Sequence, residues 1–513
     1  MTQHRRHGAR QWIVFLAVLL SLLASAWVVW SLSSHRDVIP GTNAIQSDAT
    51  VTVGLRTPPQ SLDIRTHDDA PAKQALLGNV YETITSLSSH NQVRPGLASS
   101  WKVSDDGLVY TFTIRSNDVF SNGHPLDASD AVWSLQQAVN AKHPGYDQLG
   151  NLKSVANPNT NTLVITLGAP NPRLLRTLSS PVGIVFDPRA NVDYATDAVG
   201  SGPFVISDYV PGSSITLKRN TRYPGTAAAS SQVTLRYFQS DAALFKALHT
   251  DDIQMALPRT ADIQSALNGD PTLKIAQGPS TTKVLIGYNT DSSSIYSDQR
   301  VRQATRYLID AKAAVTSQHD VATLLGGPIG TLEPGYEDLT GLFPHDAAKA
   351  RSMLSYFSTR YLGTVVFLVP EEYQDLGNAI ADQLQSDGPF TVQVQVVDHA
   401  TLQQRLHEGK YTIALMTTGG SAGTNDASTF ADADSVFRYT NADAQRQYAE
   451  ALAATNNADY ENRLKAYAKT VSRDAAADWL YEKEDRILVK AKLHGYESAM
   501  SDERLALQQL RMQ

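Results

Sequence analysis

The pattern closest to a catalytic device is Gly419–Gly423, a G-x-S-x-G run that follows an apolar strand-like segment and would set Ser421 on a sharp turn. A nucleophilic serine of that kind needs a helix directly after it and a histidine base. Here polar, turn-rich residues follow (SAGTNDASTFADAD), and His494 is the single histidine downstream. The run therefore reads as a glycine loop, with a serine hydrolase acting through Ser421 as the remote alternative. Metal chemistry has as little to build on. His399 and His407 stand eight residues apart outside any H-E-x-x-H motif, and Asp432 and Asp434 lack the glycine and closing glutamate of a calcium loop. Neither a P-loop nor a G-x-G-x-x-G occurs, and cysteine is absent, which excludes disulfides, thiolate metal sites, thiol nucleophiles and a lipid-modified cysteine. The expectation is a protein that is not an enzyme and carries no cofactor. The charged run Glu482–Asp485 reads as a solvated face.

The elements that would position a site are legible from periodicity. Val51, Val53 and Leu55 alternate with Thr52 and Gly54, which predicts a strand beginning near Thr50. Trp101 to Ile114, turning at Asp105-Asp106-Gly107, predicts a hairpin, and Asp127 with Asp130 predicts a capped helix carrying Ala131, Leu135 and Ala138 on one face. Further strands are expected at 163–167, 214–217 and 233–238. After Val284 the pattern changes. A strand at 284–288 and a helix capped by Asp298 come first; then a helix from Asp346, strand 364–369, helix 371–385, strand 391–397, helix 401–408 and strand 411–417 form a βαβαβ run. That run predicts a mainly parallel sheet covered on both faces, with ligands beyond the carboxyl ends of its strands. A helix at 459–470, a strand around 479–489 and a polar helical tail complete the reading.

Length and charge narrow the function. The 513 residues suffice for several domains, and 44 Lys plus Arg against 51 Asp plus Glu give a formal charge of -7, so nucleic acid is not an expected partner. Arg5, Arg6 and Arg10 precede an apolar stretch from Trp12 to Trp30 that would span roughly 28 Å as a helix, close to a bilayer's hydrocarbon thickness. It reads as a single-pass anchor, or as a signal peptide cleaved after Ala26 in the small-x-small run Ala24-Ser25-Ala26. Both readings put the rest of the chain outside the cytoplasm, on the membrane face or secreted. Residues 33–49 read as a linker.

The segment Leu97–Leu135 (LASSWKVSDDGLVYTFTIRSNDVFSNGHPLDASDAVWSL) closely resembles the signature region of the bacterial extracellular solute-binding proteins, family 5. Thr50–Ile64, Val199–Tyr223 and Tyr288–Asp310 resemble further blocks in the same order, so the likeness extends over about Thr50 to His494. It implies an α/β, two-lobed periplasmic-binding-protein-like fold of type II with an additional β-rich subdomain. Lobe I would comprise 50–86, 191–285 and 476–513; the inserted subdomain, 87–190; lobe II, 286–475. Residues 1–10 would be cytoplasmic and 11–32 the anchor or signal. The chain would cross between lobes near 286–290 and 476–480. The resemblance implies the substrate-binding component of an ABC importer, a monomer that closes on a small solute, with peptide the first expectation, and hands it to a membrane permease. A surface-anchored receptor without transport is the alternative. By the same resemblance, ligand contacts would come from Tyr81 near the first helix, from Met416, Asn425 and Asp426 at and after the strand ending at Thr417, and from Trp479 beside the second crossing. One departure stands out. Peptide binders carry an acidic residue in a GDxxDP-like loop after a tryptophan, which holds the peptide ammonium. Here Asp426 matches the second aspartate, Ala427 replaces the proline, Gly423 takes the first acidic position, and the tryptophan is missing.

Overall fold

The computed structural model describes residues 47–513 apart from 260–262, 268, 317–321, 420–425 and 500–503. The expected membrane span at Trp12–Trp30 and the serine of the glycine run, Ser421, lie outside the described residues. Among the described residues no helix is long and apolar enough to cross a membrane.

β1 (Ser47–Leu55) starts three residues before the expected position, and its alternating Val51, Val53 and Leu55 are buried in one core. A short hairpin, β2 (Thr85–Leu87) and β3 (Val93–Pro95), leads into a separate antiparallel sheet. That sheet holds β4 (Ala98–Val103), β5 (Val109–Ile114), β6 (Leu152–Asn159) and β7 (Thr162–Leu167), in the order β4-β5-β7-β6. The helix Ala128–Asn140 covers it. Its start is the predicted capping box, with the Asp127 side chain accepting from the first turn and Asp130 accepting from the Asp127 backbone N–H. Phe112, Leu135 and Leu163 bury each other in a second core, each burial contributing roughly 1.5–3 kcal/mol.

The chain then returns to the first core through β8 (Phe204–Val210), β9 (Ser214–Arg219) and β10 (Ser230–Tyr237), an antiparallel set, and the two-residue β11 (Met255–Ala256), which pairs parallel with β1. β12 (Leu273–Tyr288) leaves this body, and after β13 (Ala322–Leu324) the second body follows with β14 (Thr364–Pro370), β15 (Thr391–Val397) and β16 (Ile413–Thr418). β17 (Ala477–Lys490) leads back. These strands form one 11-stranded sheet in the order β15-β14-β16-β12-β17-β11-β1-β10-β9-β8, with β13 on β17.

The three strands of the βαβαβ run are parallel, as expected, and the strands beside them are antiparallel. β14 pairs parallel with β15 and β16, whereas β12 pairs antiparallel with both β16 and β17. The reason is topological: β12 and β17 are the outgoing and returning strands of one connection, so they run in opposite directions. The two-faced burial does hold. Along β12, Val284, Ile286 and Tyr288 enter one core and Leu285 the opposite one; on β14, Val365, Phe367 and Val369 divide from Leu368 in the same way.

β12 and β17 change cores along their length. Ala276 and Ile487 pack in the first body, Val284 and Tyr481 in the second. The switch thus lies at 276–284 and 481–487, rather than at the 286–290 and 476–480 expected. Between Pro279 and Lys283 the pairing register slips, leaving 280–282 outside the ladder directly after a proline that has no N–H to donate.

The polar helical tail is also corrected. The last residues run extended, with Leu505, Leu507 and Leu510 buried in the first core and the backbone of 505–507 clamped by Asn79. β18 (Leu493–His494) and β19 (Arg511–Met512) pair to fix it.

Candidate functional site

Two cavities lie beside the crossing strands. The larger, about 720 Å³, has one wall from the β4–β7 subdomain (His90, Trp101, Arg173, Arg176) and the other from the second body (Leu332, Glu333, Tyr336, Lys465). The smaller, about 330 Å³, lies where β12 and β17 change cores and is lined by Arg56, Arg259, Ser280, Lys483 and Arg486. Volumes of about 300–1,000 Å³ are those of small-molecule sites.

The walls of the larger cavity touch at two hairpin tips. At one, Asn91 sits in the β2–β3 turn with φ 58°, a left-handed conformation that asparagine tolerates better than most side chains. Its Nδ2 donates to the Leu332 carbonyl at 3.0 Å, and Arg176 donates to both its Oδ1 and its backbone carbonyl. At the other, Gly107 of the β4–β5 turn (φ 69°) lies so close to Thr455 that a Cβ there would sit 3.1 Å from the Thr455 Cα.

The second body's wall, Thr331 to Tyr336, is pinned to both crossing strands. Lys283 on β12 is fully buried and donates from Nζ to both Glu333 oxygens at 2.8 Å, while the Gly330 N–H donates to Glu333 Oε2 at 2.6 Å. Glu482, opposite Lys283 in the ladder, accepts from the Thr331 N–H at 3.1 Å and its hydroxyl at 2.5 Å. Burial pushes the Glu482 carboxyl above its ordinary range, against the Thr331 hydrogen bonds and the Lys283 charge. The reading of Glu482–Asp485 as a solvated face is therefore half corrected: residues 483–486 are half-buried at the crossing, but Glu482 is 1% exposed.

The residues expected at the site are placed as follows. Tyr81 lies in the first core, edge-on to Phe186 at 5.2 Å, its hydroxyl buried without a hydrogen-bond partner. Met416 faces the second body's interior opposite Leu285. Trp479 packs edge-on against Phe430 at 5.0 Å with the Arg306 guanidinium over its ring at 5.6 Å. None of these three lines either cavity. Asp426 opens a 3-10 turn, Asp426–Phe430, and Asn425 lies outside the described residues. His399 sits alone against Glu372, 68% exposed at its side chain, and among the described residues no three metal-ligating groups converge. The sequence did carry one unused hint. A lysine at an inward position of the apolar strand KVLIGY needs a buried partner, and Glu333 is that partner.

Residues 92–437 match the profile of the bacterial extracellular solute-binding proteins, family 5. The chain belongs to this family. The probable D,D-dipeptide-binding periplasmic protein DdpA of Escherichia coli K12 is 24% identical over 485 residues, covering 88% of this chain and 92% of that protein. The ABC transporter substrate-binding protein CtaP of Listeria monocytogenes matches with a TM-score of 0.82 at 17% identity, over 91% of this chain and all of that one (100%). The periplasmic binding protein DppA of Helicobacter pylori, in complex with peptide STSA, matches with a TM-score of 0.71 at 18% identity, over 90% of this chain and 98% of that one. The fold of this family-5 protein is the two-lobed α/β fold of those proteins.

Proposed function

We propose that this family-5 protein is the extracytoplasmic receptor of an ABC importer and that it captures a peptide in the 720 Å³ cavity. The observation that carries the reading is the cavity's construction: its two walls belong to different bodies joined by only two strands. A guest that touches both walls gains its full contacts only when they approach, so its binding free energy favours the closed arrangement. In this reading lobe II spans the residues between the crossings at 276–284 and 481–487, the rest of the chain from about residue 50 forms lobe I, and 87–190 is the subdomain inserted into it. The names of DdpA and of the peptide-bound DppA support peptide as the guest class. The Arg5, Arg6, Arg10 cluster and the Trp12–Trp30 stretch support a tether or export signal that keeps a monomeric receptor near its permease.

The test is native mass spectrometry of the full chain purified in detergent, followed by thermal unfolding with the peptides found. At a hundredfold excess over Kd, a bound peptide stabilises the folded state by about 2.7 kcal/mol. A chain that carries no peptide and whose unfolding is unmoved by a di- to pentapeptide library contradicts the reading.

A further inference from the structure

The chain is acidic as a whole, with 51 carboxylates against 44 cations, but the larger cavity is not. Arg173, Arg176 and Lys465 line it, against Glu333 and Glu461. Glu333 is already occupied, since both its oxygens take the Lys283 ammonium. The two walls each contribute a cation that the protein leaves without an ion pair among the described residues: Arg173 from the inserted subdomain and Lys465 from the helix Asn457–Arg473. The Arg173 Nε is buried with no hydrogen-bond partner, and its guanidinium is close enough to Tyr448 of the second body to oppose in part the burial that pushes that phenol up.

Closing the cavity removes water from these cations, and a buried cation without a counter-charge is costly. A guest with carboxylates supplies what the walls lack, and guanidinium–carboxylate pairing adds charge-assisted hydrogen bonds. We propose that the cavity selects acidic peptides, with a side-chain carboxylate and the terminal carboxylate reaching Arg173 and Lys465 from opposite walls. This rests on the reading of the protein as a peptide receptor and adds the charge class of the guest. It also accounts for the altered loop after Thr417, because a guest held by its carboxylates does not depend on an acidic residue for its ammonium.

The test is calorimetric titration of the full chain with three tetraalanine-based peptides that carry glutamate, glutamine or lysine at the second position. The glutamate peptide should bind roughly tenfold tighter than the glutamine peptide, and the lysine peptide weakest. The gap should shrink as salt rises from low to physiological strength. In Lys465→Glu the order should reverse, with the lysine peptide tightest, a gain that a misfolded variant does not produce. Equal affinities in the unaltered protein overturn the charge selection and leave the peptide reading standing. Failure of all three to bind overturns both. A glutamate preference that survives Lys465→Glu overturns its assignment to this cavity.

Discussion

The two cavities are lined by similar residue types but treat their charges differently. At the smaller one, Arg56 holds Asp241 and the carbonyls of Phe238 and Gln239, Arg259 reaches the Thr57 hydroxyl at 2.5 Å, and Lys483 donates to the Tyr373 hydroxyl at 3.3 Å. Its cations are engaged within the chain, and it lies where the strands change bodies, so it has the character of a joint. At the larger one, Glu333 is neutralised by Lys283 and Arg176 is seated on Asn91, while Arg173 and Lys465 line the space beside Glu461 without an ion pair among the described residues. Charge satisfied from within marks the part that must keep its geometry. Charge left over marks the part that a guest completes.

The largest effect that tests this contrast is loss of the Lys283 partner. Lys283→Met leaves Glu333 buried and unpaired and should destabilise the fold by about 3–5 kcal/mol, read from the denaturant midpoint. Lys465→Gln, on the half-buried cavity wall, should stay within about 0.5 kcal/mol. If the two midpoints shift equally, the distinction between joint and guest site is lost. A smaller effect is expected at the hairpin tip. Asn91→Ala removes the bridge to Leu332 and the Oδ1 acceptor of Arg176 and places alanine at φ 58°, at a cost of about 2 kcal/mol. Asn91→Gly keeps the conformation and removes the same two side-chain bonds, to Leu332 and from Arg176. Both variants should show a larger radius of gyration by X-ray scattering in the absence of guest; an unchanged radius in Asn91→Gly would mean that the bridge does not hold the walls together.

What was legible in the sequence was local. The strand 391–397, the Asp127 capping box and the helix start at Asp298 were each set by residues within one turn or one pleat of each other, and they lie where periodicity placed them. Pairing partners were not legible. The antiparallel setting of β12 depends on β17, about two hundred residues away, and the extended course of the tail depends on its clamp, Asn79, which is farther still, 428 residues from Leu507. The charged middle of β17 looked solvated because runs of charge usually are; only the position of Thr331 shows why Glu482 is inside. The larger cavity draws on five separate places in the chain, around 90, 101, 173, 333 and 460, so no contiguous motif announces it. Tyr81, Met416 and Trp479 came from resemblance to the family, and in this chain their side chains are committed to the cores.

The smallest effect is the most discriminating. Gly107→Ala puts a Cβ 3.1 Å from the Thr455 Cα and forces alanine to φ 69°, so about 1 kcal/mol of stability should be lost to the turn alone. If Gly107 matters only to its own hairpin, that loss is the same with and without a bound peptide, and affinity is unchanged. If the tip is a true stop where one wall meets the other, the added methyl opposes closure specifically. The stabilisation conferred by peptide then falls along with affinity, because the guest must now work against a contact that exists only when the walls are together. Titration and unfolding of this single variant therefore separate a turn that merely folds from a turn that limits how far the two bodies close.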